Sequence, residues 1–180
     1  MGAALYMALA RTLLRTYALE YHARPDFAMK VTNRRVLMDT DVTMFVTVFY
    51  GVLDPRMGEL SYCNAGHNPP FLLRAGGEDE MQRLTRTGMA LGAAAGTSWE
   101  QRVISMNPGD TLVLYSDGVT DAQDGAGAFF GEERLQKAIR ANAGRPAHQA
   151  QRALLRAVHT FSGQTSPFDD VTLMILVRDS

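Results

Sequence analysis

The sequence predicts an α+β fold, an antiparallel β-sandwich flanked by helices, and two observations carry that expectation. Between Thr43 and Tyr115 the residues alternate with period two, or run on as β-branched and aromatic stretches, with turn residues between them. Both flanks of that region repeat their apolar residues at helical spacing, with one last strand closing the chain. Helices grouped before and after consecutive hairpins, rather than alternating with single strands, call for antiparallel pairing.

Taken in order, Gly2 to His22 is an amphipathic helix pattern with Leu5, Leu9, Leu13 and Tyr17 on one stripe and Ala4, Ala8 and Leu14 beside it. No Ser, Thr, Asp or Asn cap precedes it. From the residues alone this fits first a terminal helix that frays, and second a chain that starts inside a domain. Pro25-Asp26 opens a second helix to about Met38. Thr43 to Leu53 reads as a strand, Asp54-Pro-Arg-Met-Gly58 as a turn, and Glu59 to Asn64 as the returning strand of a hairpin. Asn68-Pro-Pro70 breaks the pattern. Phe71–Arg74, Met81–Thr85, Trp99–Met106 and Thr111–Tyr115 follow as strands, with loops at Ala75–Asp79 and Asn107–Asp110. After a Gly-rich loop at Gln123–Ala128, Gly131–Ala143 and Pro146–Phe161 are helical, the latter with Pro in its first turn. Gly163–Pro167 is a loop and Val171–Val177 the last strand. Neither a repeat nor a linker interrupts the chain, so one domain over residues 1–180 is expected.

Composition narrows the function classes. A chain of 180 residues can bury roughly 70% of its unfolded surface and needs no disulfide staples. Hydrophobic residues make up 46% and charged residues 21%, ordinary for a globular protein. A net charge of −1 leaves no electrostatic footprint for nucleic acid or an anionic membrane. No apolar run approaches the ~18 residues of a membrane span, and the first twenty residues lack a signal-peptide pattern. The single cysteine, Cys63, cannot form an internal bridge. These features predict a soluble, cytoplasmic protein.

Two acidic motifs carry the chemistry. Tyr115-Ser-Asp-Gly-Val-Thr-Asp121 follows the apolar strand Thr111–Tyr115, and Phe168-Asp169-Asp170-Val171-Thr172 precedes the apolar strand ending at Val177. Carboxylates held at strand ends are expected at a depth where an ionised group costs several kcal/mol unless a cation offsets it. Two of them at one sheet edge would form a hard-oxygen site for Mg²⁺ or Mn²⁺. Taken singly, Asp117-Gly118 reads first as an ordinary turn, and Asp169-Asp170 as a solvated loop pair, ahead of any metal role.

The ordered set of short strings is far more specific than either motif. It comprises Ala3-Ala-Leu5 with Met7-Ala-Leu9, Phe45-Val-Thr47 with Tyr50-Gly51, and Asn64-Ala-Gly-His-Asn-Pro-Pro70. Gly88 with Leu91-Gly92, Pro108-Gly-Asp110, Leu114 to Asp121, Phe130-Gly131 and Asp169-Asp-Val-Thr172 complete it. Together they resemble the bacterial stage II sporulation E-like, sigma-B-regulator-type serine phosphatases of the metal-dependent (type 2C, PPM) protein phosphatase family. The resemblance implies two antiparallel sheets packed face to face, helices outside, and a two-metal centre at one edge. It implies that Asp117 and Asp169 are metal ligands, that Gly118 lets the backbone turn tightly beside the metal, and that Asp170 sits where relatives often carry Asn. His67 and Asp121 are candidates for the surroundings of the ligands. Their plainer roles are a turn-ordering hydrogen bond for His67 and loop solvation for Asp121. No nucleophilic side chain is implied, and Cys63 is expected to be a core or strand-face thiol.

One departure stands out. The family places strands and a Gly-Asp-Val-x-Gly-like string, which carries the aspartate bridging both metals, before the Ala-Ala-Leu helix. This chain has no counterpart and is expected to be a partial, N-terminally truncated domain. At most one Mg²⁺ or Mn²⁺ is then expected to bind, weakly, and this polypeptide alone is expected to be inactive or nearly so. The implied substrate is a phosphorylated anti-sigma-factor antagonist or similar bacterial signalling protein. Exposed sheet edges are expected to invite a homodimer. The competing expectation is a non-catalytic, partner-binding module of the same fold.

Overall fold

A computed structural model describes residues 2–40, 44–76, 81–163 and 170–179. The expected strand start at Thr43, parts of the Ala75–Asp79 and Gly163–Pro167 loops, and Asp169 lie outside the described residues. Described elements are α1 (Ala3–Glu20), α2 (Pro25–Asp39), β1 (Val48–Asp54), β2 (Glu59–Ala65), β3 (Phe71–Leu73) and β4 (Met81–Arg83). They continue with β5 (Arg102–Ser105), β6 (Thr111–Tyr115), α3 (Asp117–Thr120), α4 (Gly131–Arg140), α5 (Ala147–Ser162) and β7 (Leu173–Val177). The class is α+β, with helices and two antiparallel sheets. Contacts divide the chain into two compact units, Met1–His67 with Thr85–Ser105, and Asn68–Leu84 with Met106–Ser180.

In the first unit the sheet order is β1-β2-β5. The expected hairpin forms with register Val48↔Ala65 to Asp54↔Glu59. Its turn is built by Asp54, whose Oδ1 accepts the N–H groups of Arg56 (2.8 Å) and Met57 (3.1 Å), and it closes at Gly58 with φ 70°. Regular pairing starts at Val48, later than the sequence pattern suggests, because the chain before it makes only an isolated bridge, Val46↔Leu91. The buried face of α1 is also rotated from the expected stripe. Tyr6 and Ala10 are buried and Leu13 and Leu14 pack with them, whereas Leu5 is 66% exposed. The buried face packs into a cluster with Met29, Val36, Leu91 and Trp99, and a polar contact adds to it. The Tyr6 hydroxyl donates to the Met44 carbonyl oxygen at 2.6 Å, and Gly92 leaves the space it occupies, since a Cβ there would collide with it. Asn33 of α2 ties down the same loop, donating to Ala94 O (3.0 Å) and accepting from Gly92 N (2.7 Å).

In the second unit the order is β4-β3-β6-β7, antiparallel throughout. The Asn68-Pro-Pro70 breaker therefore separates strands of two different sheets. Phe71, Leu73, Val113 and Tyr115 from the sheet bury against Leu135 and Ile139 of α4 and Leu154 and Val158 of α5. Each such side chain contributes roughly 1.5–3 kcal/mol by leaving water. The Phe71 and Tyr115 rings stack with centroids 5.5 Å apart. At the start of β6, Asp110 is 1% exposed and fully engaged. It accepts from Arg74 Nη1 (2.7 Å), Ala75 N (2.8 Å) and Asn107 N (2.8 Å). Burial alone would raise its pKa. The two N–H groups and the guanidinium outweigh burial and hold it below the usual carboxylate range.

Candidate metal centre

Strand β6 delivers its last residue, Tyr115, against Leu173 of β7, and the chain then leaves the sheet. Ser116 is still extended (φ −83°, ψ 164°), and α3 begins at Asp117. This four-residue helix was not foreseen, because Asp-Gly reads as a simple turn and one helical turn has no periodicity to detect. Its first acceptors are used at once: Val119 N donates to Ser116 O (3.1 Å), and Asp121 N to Asp117 O (2.8 Å). Asp117 Oδ1 accepts the Gly118 N–H at 3.0 Å, which steers the carboxylate relative to the backbone.

The segment entering β7 runs alongside this corner. Ser116 N donates to Thr172 O (3.0 Å), Thr172 N donates to Ser116 Oγ (2.9 Å), and Ser116 Oγ donates to Asp170 O (3.0 Å). Gly118 is buried beneath the strand: a Cβ there would stand 2.5 Å from Asp170 O and 2.9 Å from Asp170 C. Only glycine tolerates that approach. The backbones of Asp117, Gly118 and Asp170 are thereby brought together in one unit. Asp169, the other expected ligand, lies outside the described residues.

Burial is the expectation the structure corrects. Asp117, Asp121 and Asp170 are all exposed. The carboxylates sit where strands end and helix or loop begins, so water reaches them, and the argument from the cost of buried charge does not apply. Asp121 lies one turn on from Asp117, and the Thr120 hydroxyl is 3.1 Å from both Asp121 Oδ1 and Asp117 O. Asp124 Oδ1 accepts from Ala126 N and Ala128 N, each at 2.9 Å, and shapes its own loop. His67 is half-buried just beyond β2, in the first unit. Among the described residues no group of three or more His, Cys, Asp or Glu side chains is placed to hold a metal. The donors present are nevertheless of the right kind. Two carboxylates and a nearby backbone carbonyl are hard oxygens, suited to one cation such as Mg²⁺ that keeps most of its waters.

Sequence reasoning missed Ser116 altogether. The signal for it is a hydroxyl residue at the last extended position before an Asp-Gly that opens a helix.

Comparison with known proteins places these features. The fold is that of the type 2C phosphatase domains. The family model described as Stage II sporulation protein E (SpoIIE) matches residues 1–179, and the chain belongs to that family of protein serine/threonine phosphatases. It is 31% identical to Protein IcfG of Synechocystis sp. (strain ATCC 27184 / PCC 6803 / Kazusa), over 99% of this chain and 32% of that protein. It is 32% identical to Phosphoserine phosphatase RsbU of Bacillus subtilis (strain 168), over 64% of this chain and 34% of that protein. The chain thus spans about a third of the length of the curated relatives it matches. Among solved structures, the SiaA-PP2C domain of Pseudomonas aeruginosa superposes with a TM-score of 0.84 at 21% identity, over 99% of this chain and 72% of that one. Solved neighbours of the fold include one presoaked with manganese and one in complex with magnesium. Among the described residues no helix is long and apolar enough to cross a membrane.

Proposed function

We propose that this chain is the catalytic portion, a partial domain, of a Mg²⁺- or Mn²⁺-dependent phosphoprotein phosphatase acting in bacterial signalling. Its substrate would be a phosphoserine or phosphothreonine on an anti-sigma-factor antagonist or similar protein. The observation that carries the reading is the close approach at Gly118, where the absence of a side chain lets the Asp170 backbone lie against the Asp117 corner. Asp117 and Asp170, with Asp169 as a third donor by resemblance, would hold the cation. Bound there, it would supply Lewis acidity to the phosphoryl oxygens and lower the pKa of a water, which is how this class overcomes the extreme slowness of phosphate-monoester hydrolysis.

The chain's own residues bind and orient. The carboxylates supply negative charge at a solvent-open edge, which leaves room for a protein substrate, and Gly118 lets the backbone carrying Asp170 approach the Asp117 corner. Hydrolysis adds water across the P–O bond, releasing inorganic phosphate and the free seryl or threonyl hydroxyl. No side-chain nucleophile takes part. Cys63 is buried in the first unit, with burial first and then the negative charge of Asp26 pushing its thiol up to about 12, so it is not a thiolate at neutral pH.

The donor count favours a low activity for the polypeptide by itself, with one weakly held ion, and it also sustains a second reading, a non-catalytic module that docks the same kind of partner. Mn²⁺-dependent phosphate release from a phosphoserine protein, with Asp117→Ala as control, separates the two. Release that vanishes in the control supports catalysis. No release from a cooperatively folded sample that still binds its partner supports the docking module.

A further inference from the structure

We propose that Ser116 is a positioning residue for the carboxylate corner, its hydroxyl replacing a backbone carbonyl that the sheet gives up when the chain turns into α3. The inference rests on the metal-centre reading above.

The argument starts from the ladder. Residues paired between β6 and β7 run in register from Thr111↔Val177 to Tyr115↔Leu173. One step further, Ser116 faces Thr172, and an antiparallel hydrogen-bonded pair at that step would exchange two N–H···O=C bonds. The first of these forms, from Ser116 N to Thr172 O at 3.0 Å. The second is not made: the chain turns so that Ser116 O accepts the Val119 N–H of α3, and the Thr172 N–H goes to the Ser116 side chain instead. The side chain makes up the loss. Ser116 Oγ accepts the Thr172 N–H at 2.9 Å and passes its own proton toward Asp170 O at 3.0 Å. A single hydroxyl thus satisfies one orphaned donor and one carbonyl. It fastens the strand entering β7 at two points while the β6 backbone is free to bend away.

The consequence is geometric. Asp117 is the residue after Ser116, and Asp170 is the residue whose carbonyl Ser116 holds, so one side chain ties together the two backbone segments that carry these carboxylates. Alanine keeps the first ladder bond and loses both hydroxyl bonds. Threonine keeps all three, and the extended backbone of Ser116 suits a β-branched residue. Valine has threonine's shape without the hydroxyl.

The test uses the metal-free chain and its Mn²⁺ titration side by side, for wild type and for Ser116→Ala, Ser116→Val and Ser116→Thr, each first checked for cooperative unfolding. Amide hydrogen exchange at Thr172 should rise about tenfold in the Ala and Val variants, and Mn²⁺ affinity followed by electron paramagnetic resonance should fall by about tenfold, the lower end for loss of a supporting contact. Thr should restore both. Unchanged exchange at Thr172 in Ala and Val would overturn the inference, as would faster exchange with unaltered Mn²⁺ affinity. A wild-type chain that binds no Mn²⁺ would instead sink the metal-centre reading, and the positioning role with it.

Discussion

Single residues hold this fold at points where an atom more or less is decisive. At Gly118 a methyl group would have to displace the backbone of Asp170, not a flexible side-chain tip. Gly118→Ala should therefore cost about 1–3 kcal/mol and weaken Mn²⁺ binding further, measured by thermal melts with and without the ion. Asp110 tests buried charge at the opposite end of β6. Removing it in Asp110→Ala takes the buried acceptor away from Arg74 Nη1 and from two backbone N–H groups, and the chain should lose about 3 kcal/mol in urea denaturation. Its pKa is lowered in the folded state, so it binds a proton more weakly folded than unfolded. Its contribution is present above the ordinary carboxylate value of 3.8 and disappears as pH falls through the lower folded value. Melting temperature should drop on acidification below about pH 4, and the drop should be shallower in Asp110→Asn. Cys63, 0% exposed, should react with a thiol reagent only at the rate at which the protein opens.

At the scale of elements, packing rather than propensity chose the faces. Gly92→Ala should destabilise by more than about 2 kcal/mol, since it combines a φ of 84° with a collision against the Tyr6 hydroxyl. Tyr6→Phe should recover part, not all, of that loss in a double-mutant cycle, because the hydroxyl is the nearest obstacle but the Met44 carbonyl oxygen would still stand 2.9 Å from the added Cβ. The long strands, the hairpin turn at Asp54–Gly58 and the helices α2, α4 and α5 were legible from periodicity and turn chemistry, with ends shifted by a few residues. The α1 face was not, because a run rich in Leu and Ala offers several apolar stripes, and the one that is buried depends on long-range partners, an apolar cluster and a tyrosine hydroxyl bond across 38 residues. Within the carboxylate corner, the types and order of Asp117, Gly118 and Asp170 were readable. Their exposure was not, since an apolar strand says how deep its middle lies and nothing about its ends. Ser116 stayed hidden for a related reason: its role exists only once a helix claims its carbonyl.

For the molecule as a whole, both sheets have outer strands, β1 and β5 in one, β4 and β7 in the other. Edges of this kind template pairing with another chain, so a homodimer is the proposed solution state, and sedimentation across a tenfold concentration range should show self-association. A monomer throughout would count against it. The chain also enters each unit twice, passing from the first to the second at Asn68, back at Thr85 and across again at Met106. Neither unit is a contiguous stretch of sequence. On the ribosome, β3 and β4 emerge long before β6 can pair with β3 and β7 with β6, and the β1-β2 hairpin waits for β5 to pair with β2. Synthesis must therefore hold half-built sheets from both units open at once, and a nascent chain stalled near residue 100 should be a ready client for chaperones.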